Sequence, residues 1–527
     1  MEMKKHIVGK ADSVKEGQMK AFEIDEDNKI LIANIKGKYH AMGASCPHYG
    51  APLEDGIISD NRVVCPWHHS SFDIKTGGLL EPPAYDNIPV YPVNIENDNI
   101  VVMLPDKIES SCTPEMVAPD TRKDDRSFVI IGAGAAANAA AQTLRESGFR
   151  GRIKMITREK KIPYDRPELS KEFMAGKGKE EWLPLRSKEF YEKHGIDLIF
   201  DTKVTKVDTK QNEINLGNGD KLKFDRILLA TGGRPRMLDV PGKDLKNIFT
   251  LRSRADAETI VAKTENAKKA VVVGANFIGM ETANGLAERD LDVTVVAPEK
   301  IPMQKVFGND VGRVFQKAHE DKGTKFMMGR TVEKFEGDDN VTTVVLDNGE
   351  KLDADLVIIG IGVVPSTDNI DGIGYQPDGS IEVDEHMHLK DNIFAAGDIA
   401  RFKDWRTGEW TRIEHWRTAE QQGRIAAKNM AEQKTAFDSV PFFWTNQAGL
   451  NFQYVGHAED WDDIIIDGDL DKQDFVAYYI KGNKILAAAG NGRGKEMAAI
   501  EELMRKDELP RPERIREADL DLVEMAQ

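Results

Sequence analysis

The chain contains the same pattern of apolar strand, glycine turn and helix twice, and this repeat constrains its fold more than any other feature. The first strand leads into Gly132-Ala-Gly134-Ala-Ala-Ala137, and the second, 142 residues later, leads into Gly274-Ala-Asn276-Phe-Ile-Gly279. Glycines in such a turn let the backbone approach a pyrophosphate at the N-terminus of the following helix. Two such units predict two α/β folds with parallel sheets, each able to bind one dinucleotide.

The two copies differ at positions that contact a dinucleotide. In the first copy, Glu159 follows the next strand, where a carboxylate suits ribose hydroxyls. In the second copy, Asn276 replaces the middle glycine and the acidic residue is displaced to Glu299. We therefore expect weaker or shifted binding in the second copy. The choice between NADH and NADPH stays open, with a preference for NADH, because no arginine cluster for a 2′-phosphate is evident.

A second constraint lies near the N-terminus, where four metal-binding side chains come as two mixed pairs. The pairs are Cys46-Pro47-His48 and Cys65-Pro66-Trp67-His68, with sixteen residues between them. A Rieske [2Fe-2S] cluster takes two thiolates on one iron and two imidazoles on the other, which two Cys/His pairs can supply. The alternative is a Cys2His2 zinc site, although a zinc finger places its cysteines together and its histidines together. The pattern favours the Rieske cluster, in an all-β domain of short strands over residues 1–105.

Composition excludes several classes of function. A net charge of −17 disfavours nucleic acid as a partner. Three cysteines without a Cys-x-x-Cys pair argue against dithiol chemistry. The sequence has neither a long apolar run nor an apolar stretch of signal-peptide length near its start, so we expect no membrane span and a cytoplasmic location. A length of 527 residues predicts three or four domains.

Three further motifs complete the pattern. They are Pro163-Tyr-Asp-Arg166-Pro-Glu-Leu-Ser-Lys171, Ala230-Thr-Gly-Gly-Arg-Pro-Arg236 and Ala395-Ala-Gly-Asp398. With the two glycine turns, they resemble the ferredoxin-reductase and apoptosis-inducing-factor group of flavoproteins over residues 126–460. The cluster segment, Cys65 to Asp73 followed by two glycines, resembles Rieske-type ferredoxins. Together the resemblances indicate the Rieske-bearing branch of that group.

The resemblance implies FAD in the first unit. Arg166 would contact FAD, Lys171 would lie beside the flavin ring, and Asp398 would anchor the ribityl chain. Glu281 would pair with Lys171, and we expect this catalytic pair to tune the flavin potential through a fixed positive charge. The implied FAD-binding residues are Gly132, Gly134, Ala137, Glu159, Arg166, Lys171, Val204, Arg236, Asp398, His415, Trp416 and Trp444.

The resemblance also implies NADH or NADPH in the second unit. Glu414 lies in a segment similar to the one that carries a carboxylate facing the nicotinamide. Trp416 and Trp444 are candidates for stacking, with an ordinary place in the core as the alternative. The implied NAD(P)H-binding residues are Gly274, Phe277, Ile278, Gly279, Glu299, Gly362 and Glu414.

These inferences predict a multidomain fold. In chain order we expect a Rieske domain over 1–105, a linker over 106–126, an FAD-binding domain over 127–250 and 373–440, an NAD(P)H-binding domain over 251–372, and a small α+β domain over 441–527. Relatives use the last domain as an interface, which leaves a homodimer open.

The expected function is that of an NAD(P)H:acceptor oxidoreductase. Electrons would pass from NAD(P)H through FAD to the chain's own cluster, whose ligands are Cys46, His48, Cys65 and His68. From the cluster they would pass to an unidentified acceptor that could be a redox protein. The alternatives are a redox sensor whose NADH charge-transfer complex controls assembly, and the reductase component of an oxygenase. We expect the cluster histidines to be exposed and to form the electron exit. We expect His69, which stands where many relatives have glycine, to be a surface residue.

Overall fold

The computed structural model describes residues 3–517 and 520–527. Its N-terminal part, residues 3–105, contains three small antiparallel sheets, as the all-β prediction requires. In spatial order their strands are Met3–Lys10, Asn99–Pro105 and Val93–Glu96; Met19–Glu23, Lys29–Ile35, Lys38–Gly43 and Val90–Tyr91; and Ile57–Ser59, Arg62–Val64, Ser71–Asp73 and Leu79–Glu81. Short 3-10 helices span Ala11–Ser13 and Leu53–Asp55.

The first dinucleotide-binding unit has a sheet whose strands are parallel except at one edge. Its apolar central strand is buried on both faces, as parallel sheets covered by helices require. In spatial order the strands are Ile196–Ile199, Arg152–Ile156, Ser127–Ile131, Arg226–Leu229, Ile393–Ala395 and the antiparallel His388–Lys390. Two smaller sheets lie beside it. One contains Val204–Asp208, Glu213–Leu216, Lys221–Lys223 and Ile370–Asp371, and the other contains Ile381–Glu382, Ala400–Lys403 and Trp410–Thr411.

Two long helices of this unit come into backbone contact where they cross. They are Ala135–Glu146, which follows the first glycine turn, and Trp416–Met430. At the crossing, a Cβ added to Gly423 would lie 2.2 Å from the carbonyl oxygen of Ala136. Alanines and one glycine therefore allow the two helix backbones to meet. The shorter helices of the unit are Pro167–Ser170, Glu172–Ala175 and Lys188–Lys193, with a 3-10 helix at Glu180–Trp182.

The second unit repeats the architecture with a sheet of parallel strands. In spatial order they are Ile248–Phe249, Leu356–Ile359, Lys269–Val273, Asp292–Ala297 and Lys325–Met328. Its helices are Arg254–Thr264, Phe277–Ala287 and Gln304–Glu320, the last kinked at Gly308. A second sheet contains Val332–Glu336, Thr343–Leu346 and Lys351–Asp353, and the pair Gly233–Pro235 and Val363–Pro365 joins the two units.

The C-terminal part is an antiparallel sheet covered by a helix. Its strands are, in spatial order, Phe442–Gln447, Leu450–Gly456, Lys484–Asn491, Asp474–Lys481 and Asp463–Asp469. The helix Gly494–Arg505 packs on this sheet, and the short helices Pro512–Ile515 and Leu522–Ala526 follow. Among the described residues, we find no helix with the length and apolar character needed to span a membrane.

The N-terminal domain is packed against both the first unit and the C-terminal part. Tyr85 donates to Glu420 of the helix Trp416–Met430, and the Arg186 guanidinium donates to Asp86. On the other side, Ser59 donates to the carbonyl oxygen of Ala526 at 2.7 Å. Buried polar contacts on two sides fix the orientation of this domain.

Gly423→Ala should destabilise the protein by about 1–3 kcal/mol, because the added methyl group meets a helix backbone that cannot rotate away. The midpoint of thermal unfolding, followed by circular dichroism, measures the effect. Gly374→Ala is the matched control, since a Cβ at Gly374 would have no neighbour within 4 Å. Equal unfolding midpoints for the two variants would show that the two helices can move apart without a loss of stability.

A second prediction concerns pH and the contact between the second unit and the C-terminal sheet. His319 is buried there with Nε2 2.9 Å from Oε1 of Gln447, and burial lowers its pKa to about 4. The unfolded chain therefore binds more protons than the native state between pH 6.5 and 4, so stability falls as the pH falls through this window. The loss amounts to as much as about 3 kcal/mol.

His319→Gln keeps a hydrogen-bonding side chain but cannot take up a proton. The variant should lose less stability than the wild type between pH 6.5 and 4, as measured by thermal unfolding across that range. Parallel pH profiles for the two proteins would contradict the assignment.

Candidate functional site

A cleft lies where parallel strands of the first sheet end. Residues directly after three of those strands contribute to its wall, including Gly134, Gly232 and Asp398. Ligands bind at the carboxyl edge of such sheets. The predicted site residues that line the cleft are Gly134, Arg166, Lys171, Phe277, Ile278, Glu281, Asp398, Glu414, His415, Trp416 and Trp444.

The two glycine turns have the same strained geometry. Gly132 and Gly274 have φ angles of 127° and 112°, and a Cβ at either would lie 2.1 or 2.2 Å from a carbonyl oxygen of the neighbouring strand end. Gly134, by contrast, faces the cleft, with its nearest protein atom, Nε of Arg166, 3.8 Å from the Cβ position. The space above Gly134 fits the pyrophosphate of a dinucleotide.

An ion pair crosses the wall of the cleft. Nζ of Lys171 lies 3.1 Å from Oε1 of Glu281, and both side chains are buried. Glu281 also accepts hydrogen bonds from Ser170 at 2.5 Å and Thr445 at 2.6 Å. The ion pair implied by the resemblance is therefore present, and three contacts fix the Glu281 carboxylate. Its tuning of the flavin stays a prediction.

Further polar groups of the wall are held by neighbours. Asp398 accepts from Arg252 at 2.7 Å, and Glu414 accepts from Arg412 at 2.5 Å. Burial raises the pKa of Glu414 above its ordinary value. Burial also lowers the pKa of His415 to about 3, so this imidazole is neutral at physiological pH.

The four cluster ligands come together on two neighbouring loops of the N-terminal domain. Cys46 and Cys65 are buried, and Nδ1 of His48 lies 3.0 Å from Nδ1 of His68. Within the described ranges, no three His, Cys, Asp or Glu side chains are arranged to hold one metal ion. A two-iron cluster needs only two protein ligands on each iron, so two thiols beside two imidazoles fit it.

Trp444 lies between the cluster histidines and the cleft. Its side chain is 5% exposed and lines the cleft, while its ring centroid is 4.5 Å from that of His68 and 6.1 Å from that of His48. One aromatic side chain therefore contacts the cluster site and also lines the cleft.

The loop of His48 is also tied to the first unit. The Tyr49 hydroxyl lies 2.7 Å from Oδ2 of Asp165 and 3.0 Å from Oε1 of Glu168. Burial raises the pKa of Asp165 to about 7. The Tyr49 ring also stacks on His48, with centroids 3.9 Å apart.

Other predicted cofactor-binding residues lie outside the walls of the cleft. Glu159 accepts from Arg166 and Tyr164, Arg236 donates to the carbonyl oxygen of Val363, and Glu299 pairs with Lys305. The rest of this group are in the glycine turns, the core and the link between the units: Gly132, Ala137, Val204, Gly274, Gly279 and Gly362. Binding by these residues stays a prediction.

Two expectations were wrong. His69 is buried with 0% exposure, because it packs against the C-terminal part, with Nδ1 2.5 Å from Oε2 of Glu501. The ligand His68 is 6% exposed and faces Trp444, so it does not form an exposed electron exit, whereas His48 is partly exposed and its part in the exit stays a prediction. The side chains of His69 and His68 are buried because the N-terminal domain packs against the C-terminal part and presents no free surface there.

Several contact residues were not predicted. Tyr49, Arg417 and Glu501 join the cluster loops to other parts of the chain, and their partners are 84 to 432 residues away in sequence. The one local signal was His69 itself, a bulky residue at a position that favours glycine.

The fold and the cleft together define a flavin- and nicotinamide-dependent oxidoreductase with a cluster-binding domain in the same chain. Comparison with known proteins gives the same result: the pyridine nucleotide-disulphide oxidoreductase family matches residues 126–423, the Rieske [2Fe-2S] domain matches 4–92, and the reductase C-terminal family matches 442–526. The chain belongs to the pyridine nucleotide-disulphide oxidoreductase family and carries a Rieske domain before it.

Curated relatives and solved structures agree. Apoptosis-inducing factor 3 of Homo sapiens is 36% identical over 499 residues, which covers 93% of this chain and 82% of that protein. Putidaredoxin reductase of Pseudomonas putida is 33% identical over 72% of this chain and 92% of its own length. The solved covalent complex of putidaredoxin reductase with putidaredoxin matches with a TM-score of 0.72 at 32% identity, over 76% of this chain and 98% of that one.

The cofactors of this oxidoreductase are FAD, NAD(P)H and a Rieske [2Fe-2S] cluster. The Gly134 turn and cleft fit the dinucleotide, and the two Cys/His pairs fit the cluster, which excludes the zinc alternative.

Lys171→Met should lower the midpoint potential of the bound flavin by tens of millivolts, because it removes a buried positive charge that favours the more negative reduced state. An anaerobic titration with reference dyes measures the potential. Lys177→Met is the matched control, since Lys177 pairs with Glu288 at the surface. A shift of similar size in both variants, or in neither, would refute the predicted role of the Lys171–Glu281 pair.

Proposed function

We propose that the protein passes electrons from NAD(P)H through FAD to its own Rieske cluster, and from there to a separate redox protein. The observation that carries this proposal is the position of Trp444, whose ring lies in the wall of the cleft and 4.5 Å from the ring of His68. When bound, FAD would supply the exchange between the two-electron chemistry of the nicotinamide and the one-electron chemistry of an iron–sulfur centre.

The residues of the chain then have distinct tasks. Cys46, Cys65, His48 and His68 would hold the cluster. The Lys171–Glu281 pair keeps a positive charge beside the flavin position, and neutral His415 adds no second charge there. The aromatic side chains of Phe277, Phe443 and Trp444 give the cleft an apolar wall.

The Rieske domain takes the place that a separate redox partner takes in relatives. In the solved putidaredoxin reductase complex, the partner is putidaredoxin. Here the cluster domain belongs to the same chain and packs beside the cleft. A net charge of −17 favours this arrangement, because free ferredoxins are usually acidic and would be repelled.

The identity of the acceptor, the preference for NADH, a homodimer and a cytoplasmic location stay predictions. Support for an acceptor that is a protein comes from oxygenase systems, since one relative is the ferredoxin–NAD(+) reductase component of a 3-phenylpropionate/cinnamic acid dioxygenase, 31% identical over 72% of this chain.

An anaerobic titration of the full-length holoprotein with NADH tests the proposal. Visible absorption follows the flavin, and low-temperature EPR detects the low-average-g signal of a reduced Rieske centre. Bleaching of the flavin together with this signal supports internal electron flow. Flavin reduction without any cluster signal would refute it.

Trp444→Leu should leave flavin reduction by NADH largely unchanged but slow reduction of the cluster by about tenfold or more, because small displacements between reacting groups are costly. Stopped-flow absorption resolves the two phases. Trp444→Phe, which keeps an aromatic ring, should retain more of the rate. Equal cluster reduction in all three proteins would exclude Trp444 from the path.

The redox-sensor alternative has one observation in its favour, the match of 93% of this chain to apoptosis-inducing factor 3. In that case NADH would change the assembly state while turnover stayed slow. Sedimentation of the holoprotein with and without NADH distinguishes the two: an NADH-dependent dimer with slow cluster reduction favours the sensor.

A further inference from the structure

His69 occupies a backbone conformation that a residue with a side chain rarely adopts. Its φ angle is 57°, in the left-handed region that favours glycine. It directly follows the cluster ligand His68, in the loop between the strands Arg62–Val64 and Ser71–Asp73. A histidine at such a position needs contacts that hold it in place.

Those contacts come from the C-terminal part of the chain. Nδ1 of His69 lies 2.5 Å from Oε2 of Glu501, on the helix Gly494–Arg505. Its ring packs on Phe442, with centroids 4.1 Å apart. The side chain thus crosses from the cluster domain into the neighbouring domain, where it is completely buried.

Arg417 connects the same contacts to the flavin cleft. Its guanidinium donates to Oε1 of Glu501 at 2.7 Å and to the carbonyl oxygens of His69 at 3.0 Å and Pro82 at 2.7 Å. Arg417 is 1% exposed and follows Trp416, which lines the cleft. One buried side chain therefore binds the cluster loop, the C-terminal helix and the helix at the cleft.

We propose that His69, Glu501 and Arg417 form a latch, which holds the cluster loop in a fixed position relative to Trp444 and the cleft. The three are positioning residues, since they act through the neighbouring ligand His68. The inference deepens the proposed function and rests on it, because the position of the cluster loop affects the reaction only if electrons pass between the cleft and the cluster.

Other contacts hold the domain, and one of them also reaches this loop: Gln453 of the C-terminal sheet donates to the carbonyl oxygens of Pro66 at 2.8 Å and Trp67 at 2.7 Å. Glu502 of the same helix accepts from Arg62 at 3.4 Å, and Tyr85 donates to Glu420. Loss of the latch should loosen the loop at His68 and His69, while Gln453 still holds its start and the remaining contacts keep the domain docked. Glu502→Gln offers a matched control, because it weakens a contact between the same two domains at a position away from the ligand loop.

His69→Gly is the test variant, because glycine adopts the left-handed conformation without strain and the fold should survive. His69→Asn accompanies it. Asparagine tolerates the same conformation, ends short of Glu501, and adds none of the backbone freedom of glycine. Both variants and the Glu502→Gln control are prepared as full-length holoproteins with their FAD and iron content measured.

Both His69 variants should keep the wild-type rate of flavin reduction by NADH and slow cluster reduction about tenfold. Amide hydrogen exchange in residues 65–71 should rise by a similar factor, and Glu502→Gln should match the wild type in all three measurements. Cluster reduction within twofold of the wild type, with unchanged exchange, would overturn the latch.

The amide hydrogen exchange measurement distinguishes a failure of the proposed function from a failure of the latch. If NADH never reduces the wild-type cluster, the proposed function fails, but faster exchange in the His69 variants would still support a latch. If the wild-type cluster is reduced and the variants behave like it, the latch fails alone.

Discussion

The burial of one polar helix is the constraint on which the arrangement of domains depends. The helix Trp416–Met430 begins at the cleft wall and packs against the alanine-rich helix through Gly423. Its polar side chains are nevertheless buried, and buried polar groups need partners. Arg417, Glu420, Gln421 and Arg424 all bond to the Rieske domain. Removal of that domain would take these partners away, and Arg417 would keep only its ion pair with Glu501.

Much of the fold was predictable because its signals are local. The glycine turns at Gly132 and Gly274 reside in short segments, and each requires a backbone geometry that only glycine provides without strain. The cluster ligands were predictable for the same reason, since each Cys/His pair lies within four residues. The all-β character of residues 1–105 was predictable from short strand-like segments separated by turn residues.

The contacts between domains were not predictable from local pattern. His69 and Glu501 are 432 positions apart, and neither residue type indicates burial by itself. Charged residues are usually exposed, so the residue type of each member of this network predicts exposure and not burial inside an interface. Trp444 illustrates an intermediate case: the resemblance drew attention to it, but its contact with His68 depends on how two distant domains dock.

The tie of Tyr49 to Asp165 and Glu168 has a consequence for competition among carriers. The surface of the flavin unit beside the cleft is already covered by a segment of the same chain. Tethering gives that segment a high effective concentration, independent of how much protein the cell contains. A foreign ferredoxin would therefore have to displace a resident domain before it could receive electrons directly from the flavin. The docked domain itself would thereby insulate the flavin from other electron carriers.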